Sequence, residues 1–409
     1  MNLVLRLAWR NLWRQPRRTW LTTGAMVFSN TLLVFMISLQ FGMYALMIDN
    51  TLKIFSGHMQ IQAPGYKDEQ KMRQVVPDAT ALAERLRRDL GLDSIATRGF
   101  AFALASSEER SYGIGVYGIE PRYEPAVSSV PGLVREGRYL DDPEAYEIVI
   151  GDVLARNLQI GVGDELTLLG SGRDGSFAAA VVNVVGIFDS GVPDIDRNIA
   201  QVPLAAFQDI FYMDGAAHAI VIKAQTLDQA PAVQARVQQL LPESAGLVVH
   251  DWDALQPGLR QAIRADMSSA FFMYGVLVIL VAFSVLNTQL MSVLERTHEF
   301  GIVMALGLRP GRLGRLVMLE TALLGGLGLV IGIATGSLLT SWFTVRGFSV
   351  PGMDEMAVAF NLPARMYPEV TLLTAITGPA VVMLFTMLAA LYPALRLHRL
   401  HPVQAMRAH

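Results

Sequence analysis

Cysteine is absent from the 409 residues. That excludes disulfides, thiolate metal sites, a lipidated N-terminal cysteine and C-terminal prenylation. Any part of the chain in an oxidising compartment must stand on its own core. Lysine is nearly absent: the four are Lys53, Lys67, Lys71 and Lys223, and none follows a glycine. A phosphate loop of the G-x-x-x-x-G-K-[ST] type is therefore excluded, and the chain is not its own P-loop ATPase. H-E-x-x-H, G-x-S-x-G and S-x-x-K are missing too, so no catalytic group is assigned. No basic block resembles a nucleic-acid footprint, and nucleic acid is not an expected partner. Charge itself is scarce, at 17% of residues against about 25% in an ordinary soluble domain.

What is plentiful is apolar: 52% of the residues, with a mean hydropathy of +0.37. Four stretches are long enough to span a bilayer, which takes about 20 apolar residues: Thr19–Ile48, Met267–Leu294, Thr321–Val345 and Val370–Leu395. They place transmembrane helices at 19–48, 267–294, 317–345 and 370–395. The first is about twice as long as a signal-peptide core and lacks a clean cleavage site, so it reads as an uncleaved span. None carries a charged residue or histidine at mid-depth, which argues against a proton-driven carrier or an ion channel. Flanking cations set the orientation. Arg6, Arg10, Arg14, Arg17 and Arg18 precede the first span, Arg296, Arg309, Arg312 and Arg315 lie between the second and third, and Arg396, Arg399 and Arg407 follow the fourth. Both termini and the 295–316 loop are expected in the cytoplasm, with 49–266 and the 346–369 loop (Arg346 and Arg365 against Asp354, Glu355 and Glu369) outside.

Residues 1–18 read as an amphipathic N-terminal helix on the membrane. Arg6, Arg10 and Arg14 share one face, with Leu5, Ala8, Trp9, Leu12 and Trp13 opposite. It either binds the anionic lipid surface or is only an orientation signal. The tail is 396–409. Residues 49–266 have a globular composition and form an expected α+β domain, long enough for two subdomains. Helices are expected at Asp78–Leu90 and Leu227–Leu241, and strands at Gly57–Gln62, Glu147–Ile150, Glu165–Leu169, Ala178–Phe188 and Ala219–Lys223. Asp141-Asp142 and Asp194 with Asp196 sit beside proline and read as solvated turns rather than metal or acid–base sites. No metal site is expected, at His398 and His401 included. Gly328, Gly332 and Gly336 recur every four residues on one face of the third span. Such a face admits a close helix neighbour, within the chain as the expected case or in a dimer as the alternative.

The segment Leu294–Pro310 carries the functional signal. Glu295 and Glu299 stand i, i+4, and Ile302, Ala305 and Leu306 make a short apolar face. Gly307 suits a helix C-cap, and Pro310 a stop. A short amphipathic helix below the bilayer can dock in a groove of a cytoplasmic partner, or can lie solvated at the interface.

These residues carry a family resemblance. Glu295-Arg296…Glu299-Phe300-Gly301-Ile302…Ala305-Leu306-Gly307, with Glu320 entering the next span, resembles the signature of FtsX-like ABC-transporter permeases. Ala8-Trp9-Arg10-Asn11-Leu12…Arg17-Arg18-Thr19 resembles their opening motif, and Tyr392-Pro393-Ala394-Leu395-Arg396…His401-Pro402-Val403-Gln404-Ala405-Met406-Arg407 their closing one. Within that family, Val184–Gly191, Asp196 and Val202-Pro203-Leu204 look like the lipoprotein-releasing LolC/LolE branch, whose external domain is MacB-like. The resemblance implies a four-helix membrane protein of the bacterial inner membrane with a periplasmic MacB-like α+β domain between helices 1 and 2. It implies a second permease, identical or homologous, and two copies of a separate ABC ATPase. This chain then binds no cofactor, and ATP and Mg²⁺ lie on the ATPase. The helix around Glu295–Gly307 is the implied ATPase-coupling helix. Mechanotransmission would extract lipoproteins or similar amphiphiles from the outer leaflet toward a periplasmic carrier. A MacB-like efflux permease working with an adaptor, and an FtsX-like signal transmitter controlling a periplasmic hydrolase, are the alternatives. One departure stands out. The hairpin Leu168–Val182 has Gly170-Ser171-Gly172-Arg173-Asp174-Gly175 but no proline, so the Pro-containing hook by which LolC-type proteins recruit the carrier is missing.

Overall fold

The computed structural model describes residues 3–242, 246–349 and 365–397. His398, Arg399 and the closing motif from His401 to Arg407, like Asp354 and Glu355, lie outside the described residues. The chain divides into a helical unit drawn from residues 3–45, 262–349 and 365–397, and an α+β unit at 46–261.

Helix α1 (Leu3–Leu12) stops before Trp13–Gln15, and α2 (Pro16–Thr51) begins at a proline, whose fixed φ suits a first helical position. The expected single helix over 1–18 is corrected accordingly. The residue before a proline is driven from helical angles, and Arg17 and Arg18 belong to α2. The last turn of α2 widens into a π-helical turn, Leu52–Ser56, ended by Gly57 at φ +66°. The α+β unit then runs β1 (Met59–Gln62), α3 (Tyr66–Glu69), α4 (Ala79–Leu90), β2 (Ile95–Ser106), β3 (Ser111–Ile119), α5 (Glu124–Val127), β4 (Val134–Gly137), β5 (Glu147–Gly151), α6 (Asp152–Leu158), β6 (Glu165–Ser171), β7 (Phe177–Phe188), α7 (Pro193–Asn198), β8 (Ile199–Pro203), α8 (Leu204–Ile210), β9 (Ala219–Ile222), α9 (Ala230–Leu240), β10 (Val248–Asp251) and α10 (Trp252–Leu255). Helix α11 (Pro257–Glu295), α12 (Thr297–Ala305), α13 (Pro310–Arg346) and α14 (Leu372–Arg396) follow. Thr371 and Thr374 close a capping box at the start of α14. The helix of α2, α11, α13 and α14 are each long and apolar enough to cross a membrane, and the α+β unit lies between the first and second of them.

All ten strands of the α+β unit join one sheet, in the order β10-β1-β9-β2-β3-β8-β5-β7-β4, with β6 pairing β2 and β7. Neighbours are antiparallel except β3–β8 and β5–β7. The two largest hydrophobic cores of the unit lie on this sheet. One gathers Ile61, Leu82, Leu86, Ile220 and Ile222 beneath α4 and α9. The other gathers Ile148, Leu154, Leu166, Val182, Phe207 and Phe211. The β2–β3 hairpin is glycine-rich for a steric reason. Gly99 and Gly118 pair across it, and a Cβ on either would lie 2.2 and 2.5 Å from the Phe207 ring.

A buried ion pair knits this unit to the end of α2. Arg98 and Glu124 lie 2.6 Å apart with side chains 4% and 0% exposed. Arg98 also donates to the Phe55 carbonyl and stacks on the Phe55 ring. The carbonyls of Lys53, Ile54 and Ser56 accept from Ser129 N–H at 2.9 Å, Ser128 Oγ at 2.8 Å and Gln60 Nε2 at 2.8 Å. Carbonyls that would be orphaned at a helix end are thus satisfied by the sheet unit. His218 is another buried polar group held in one state. Its Nδ1 accepts from Phe100 N–H at 3.0 Å, and its Nε2 lies 3.3 Å from the Met72 carbonyl, to which it donates. Burial pushes its pKa down from 6.5 to about 4.

In the helical unit, the face of Gly328, Gly332 and Gly336 is filled by α2. Cβ atoms there would stand 2.6, 2.4 and 2.8 Å from the Cβ atoms of Met26, Asn30 and Val34. The dimer alternative therefore has no free surface at these glycines. Asn30 Nδ2 donates to the Gly328 carbonyl at 3.2 Å, and the Thr31 and Thr335 hydroxyls meet at 2.6 Å.

Gly332→Ala is expected to cost about 1–3 kcal/mol of stability in detergent by overpacking. Gly326→Ala, where an added Cβ meets nothing within 4 Å, should leave the melting temperature unchanged or raise it. At pH values between about 4 and 6.5 the unfolded chain carries a proton on His218 that the folded chain does not. Stability therefore rises with pH across that window and is lost on acidification, by on the order of 3 kcal/mol in full. Thermal unfolding of the whole chain at pH 7 and pH 4.5 should show this loss, and His218→Gln should flatten it.

Candidate coupling site

Helix α11 ends at Glu295 because Arg296 leaves helical angles (φ −99°, ψ 9°) and caps α12. This corrects the expectation that Glu295 and Glu299 share one helix. Glu295 closes α11, and Glu299 sits in the first turn of α12. At the other end Gly307 takes φ +96°. Gly307 N–H bonds the Met304 carbonyl at 3.0 Å and Leu308 N–H the Val303 carbonyl at 3.2 Å. That pair of bonds is a Schellman close, and Pro310 then starts α13.

One face of α12 is anchored and the other is bare. Phe300, Gly301 and Met304 are buried, packing with Val293, Leu313, Val317 and Leu397. Ile302 and Leu306 are 45% and 83% exposed, and Ala305 is exposed between them. The apolar face expected from the sequence thus has no partner among the described residues, and Phe300 and Met304, not singled out as anchors there, hold the helix in place.

The charged residues converge from α2, α11, α12 and α13 and from the linkers before α2 and α12. Arg14 reaches both Glu299 carboxylate oxygens, at 3.1 and 3.2 Å. Arg18 meets Glu295 at 3.0 Å and Ser292 at 2.7 Å. Arg14 foremost, with Arg296, holds the Glu299 carboxyl below the usual carboxylate range. Glu320, buried on α13, accepts from Asn11 Nδ2 at 2.7 Å and Arg296 Nη1 at 3.1 Å. These groups wall a polar crevice of about 220 Å³. Sequence reasoning took Arg18 as a cation that sets orientation and Arg14 as either that or a lipid-surface contact, and missed this pairing. Its signal was present: two arginines four residues apart match two glutamates four residues apart, in reversed order. The apolar face expected on α1 is split as well. Ala8 and Leu12 are buried in a contact with α13. Trp9 and Trp13 stay outside, in an edge-to-face row with Trp20 at 6.0 and 6.1 Å.

The other sequence candidates resolve as follows. Asp142 accepts from Glu144 N–H at 3.0 Å in an exposed turn. Asp194 is exposed, but Asp196 is only 2% exposed, correcting the solvated-turn expectation: it accepts from Ser190 N–H at 2.9 Å. Burial raises its pKa. Asp152, Asp189 and Asp196 bring oxygens within 4.8 Å of one another. Arg156 and Arg135 already occupy the first two, at 2.6 and 2.8 Å. Between β6 and β7 the turn is tight: Gly172 N–H bonds the Ser176 carbonyl at 2.9 Å, with Gly175 at φ +90°.

Two family models match the chain: the FtsX-like permease C-terminal model over residues 271–402 and the MacB-like periplasmic core domain over residues 19–240. The lipoprotein-releasing system transmembrane protein LolC of Xylella fastidiosa (strain 9a5c) is 28% identical over 315 residues, 73% of this chain and 74% of the relative. LolE of Haemophilus influenzae is 25% identical over 342 residues, 80% of each chain. The solved periplasmic region of MacB from Actinobacillus actinomycetemcomitans matches 52% of this chain and 97% of its own, at 14% identity and a TM-score of 0.38.

Truncating the anchor should free the helix. Phe300→Ala is expected to destabilise the seating of α12 by about 3 kcal/mol, read as faster amide exchange over Thr297–Ala305 with the spans unaffected.

Proposed function

Because the chain belongs to the FtsX-like ABC-transporter permeases, with a MacB-like periplasmic core domain between its first and second spans, we propose that α12 is the coupling helix through which a separate ABC ATPase drives it. The observation that carries this is the two-sided character of α12: Phe300 and Met304 fix one face, while Ile302, Ala305 and Leu306 offer an apolar strip that has no partner among the described residues. A helix rigidly seated on one side passes on displacement applied to the other. In this reading Glu295, Arg296 and Glu299 hold the helix, Gly301 allows its close seat, and Gly307 closes it. Two ATPase copies carry ATP and Mg²⁺, and a second permease, identical or homologous, completes the pair. The chain itself contributes motion and no chemistry.

The chain is a multi-pass inner-membrane protein, and the arginine distribution supports cytoplasmic termini with the α+β unit in the periplasm. The substrate reading rests on relatives that bear the names LolC and LolE: lipoproteins or similar amphiphiles, drawn from the outer leaflet by mechanotransmission. Spans free of mid-depth charge suit a substrate that never crosses the bilayer. The tight β6–β7 turn without proline supports a second reading, a MacB-like efflux permease that works with an adaptor and not with a carrier.

Leu306→Asp is the direct test. Leu306 touches little within the chain, so insertion and thermal stability should be preserved within about 0.5 kcal/mol. Co-purification of the ATPase in mild detergent should be lost. Undiminished ATPase recovery would overturn the docking assignment, and mass spectrometry of the wild-type complex would separate a bound lipoprotein from an adaptor.

A further inference from the structure

Three segments remote in sequence meet at one buried carboxylate. The Glu320 side chain is 7% exposed. Its Oε1 accepts from Asn11 Nδ2 of α1 at 2.7 Å. Arg296 Nη1 reaches Oε1 and Oε2 at 3.1 and 3.3 Å. Arg296 is the residue at which the chain turns from α11 into α12, and its guanidinium lies 4.9 Å from the Phe300 ring, the anchor of α12. The bend, the anchor, the third span and the N-terminal helix are therefore tied through one ionic contact.

Magnitudes separate this contact from its neighbours. The Arg14–Glu299 pair has side chains 61% and 47% exposed, and Arg18–Glu295 has 32% and 41%. Exposed pairs of this kind contribute little and tolerate rearrangement. A buried pair behaves differently. Well-packed apolar side chains would serve stability as well or better, yet removal of one partner leaves a buried charge poorly compensated. What the ionic contact adds over apolar packing is direction: a carboxylate with one guanidinium and one amide in place defines the angle between its elements.

We propose that Glu320, Arg296 and Asn11 form a positioning triad that sets the angle of the coupling helix, and that α1 is thereby a working part of the coupling device. This rests on the reading of α12 given above. Asn11 keeps Glu320 oriented toward Arg296 from the side of α1. Arg296 transfers that orientation to the bend. None of the three needs to touch the ATPase.

The test uses the complete permease–ATPase complex in lipid nanodiscs. Asn11→Ala leaves the Arg296–Glu320 pair intact, Glu320→Gln removes the charge at constant shape, and Arg296→Gln removes its partner. Each should retain the ATPase on purification. Each should lower kcat of ATP hydrolysis, by about tenfold in the two charge variants, with KM for ATP unchanged. The double variant Arg296→Gln/Glu320→Gln should be no worse than either single one, because the residues act as a unit. A merely structural role would lower recovery and thermal stability without this kcat-against-KM split. Wild-type turnover in Asn11→Ala and Glu320→Gln, or losses that multiply in the double variant, would overturn the triad. Leu306→Asp separates the two ideas. If it fails to release the ATPase, the docking reading falls; if it does release it while the triad variants turn over normally, only the triad falls.

Discussion

In a bilayer, apolar surface gains little by leaving lipid for protein, so helices hold together through close packing and a few polar contacts. In this chain α13 meets α2 along Gly328, Gly332 and Gly336, so closely that no side chain fits between them. Asn30 and Thr31 add hydrogen bonds to α13. The rest of the helical unit takes its bearings from α13. Its first turns seat α1 through Ala8 and Leu12, Leu313 and Val317 form the wall against which Phe300 packs, and Glu320 supplies the buried charge for Arg296. A helix interface, an N-terminal helix and the bend before α12 thus share one support.

The sequence was most readable where one period dominates. The four spans are long uniform apolar runs, and strands β5, β6, β7 and β9 are dense in β-branched and aliphatic residues. The β2–β3 hairpin was not visible, because Gly99, Gly113, Gly115 and Gly118 depress strand propensity. Gly99 and Gly118 are there for the Phe207 ring, and that contact joins residues about a hundred positions apart. The same limit applied at the candidate site. Gly307 and Pro310 announce where α12 ends by local chemistry, whereas Arg14, Arg18 and Asn11 have partners 277 to 309 residues away. Arginines ahead of a first span suit lipid headgroups equally well, and only the tertiary fold decides between a phosphate and a glutamate. Asp196 went astray for a related reason: beside Pro193 it looks like a turn residue, yet α7 turns it inward to cap the Ser190 amide.

The distribution of polar groups fits a device that moves rather than reacts. His218 is kept neutral by burial and oriented by its two hydrogen-bond partners. The clustered aspartates of α6 and α7 are occupied by arginines and backbone amides. Arg98 and Glu124 neutralise each other out of water. Each is committed to holding backbone segments together, while on the loop helix Ile302 and Leu306 stay exposed.

The end of the first long helix carries a mechanical consequence. The carbonyls of Lys53, Ile54, Phe55 and Ser56 follow one another through a single helical turn, and each is gripped by a different donor of the sheet unit. A rope tied at one point delivers only pull. A shaft held at four consecutive points also resists rotation, because turning about its axis would strain all four bonds at once. The π-helical turn therefore moves as one piece with the α+β unit to which it belongs.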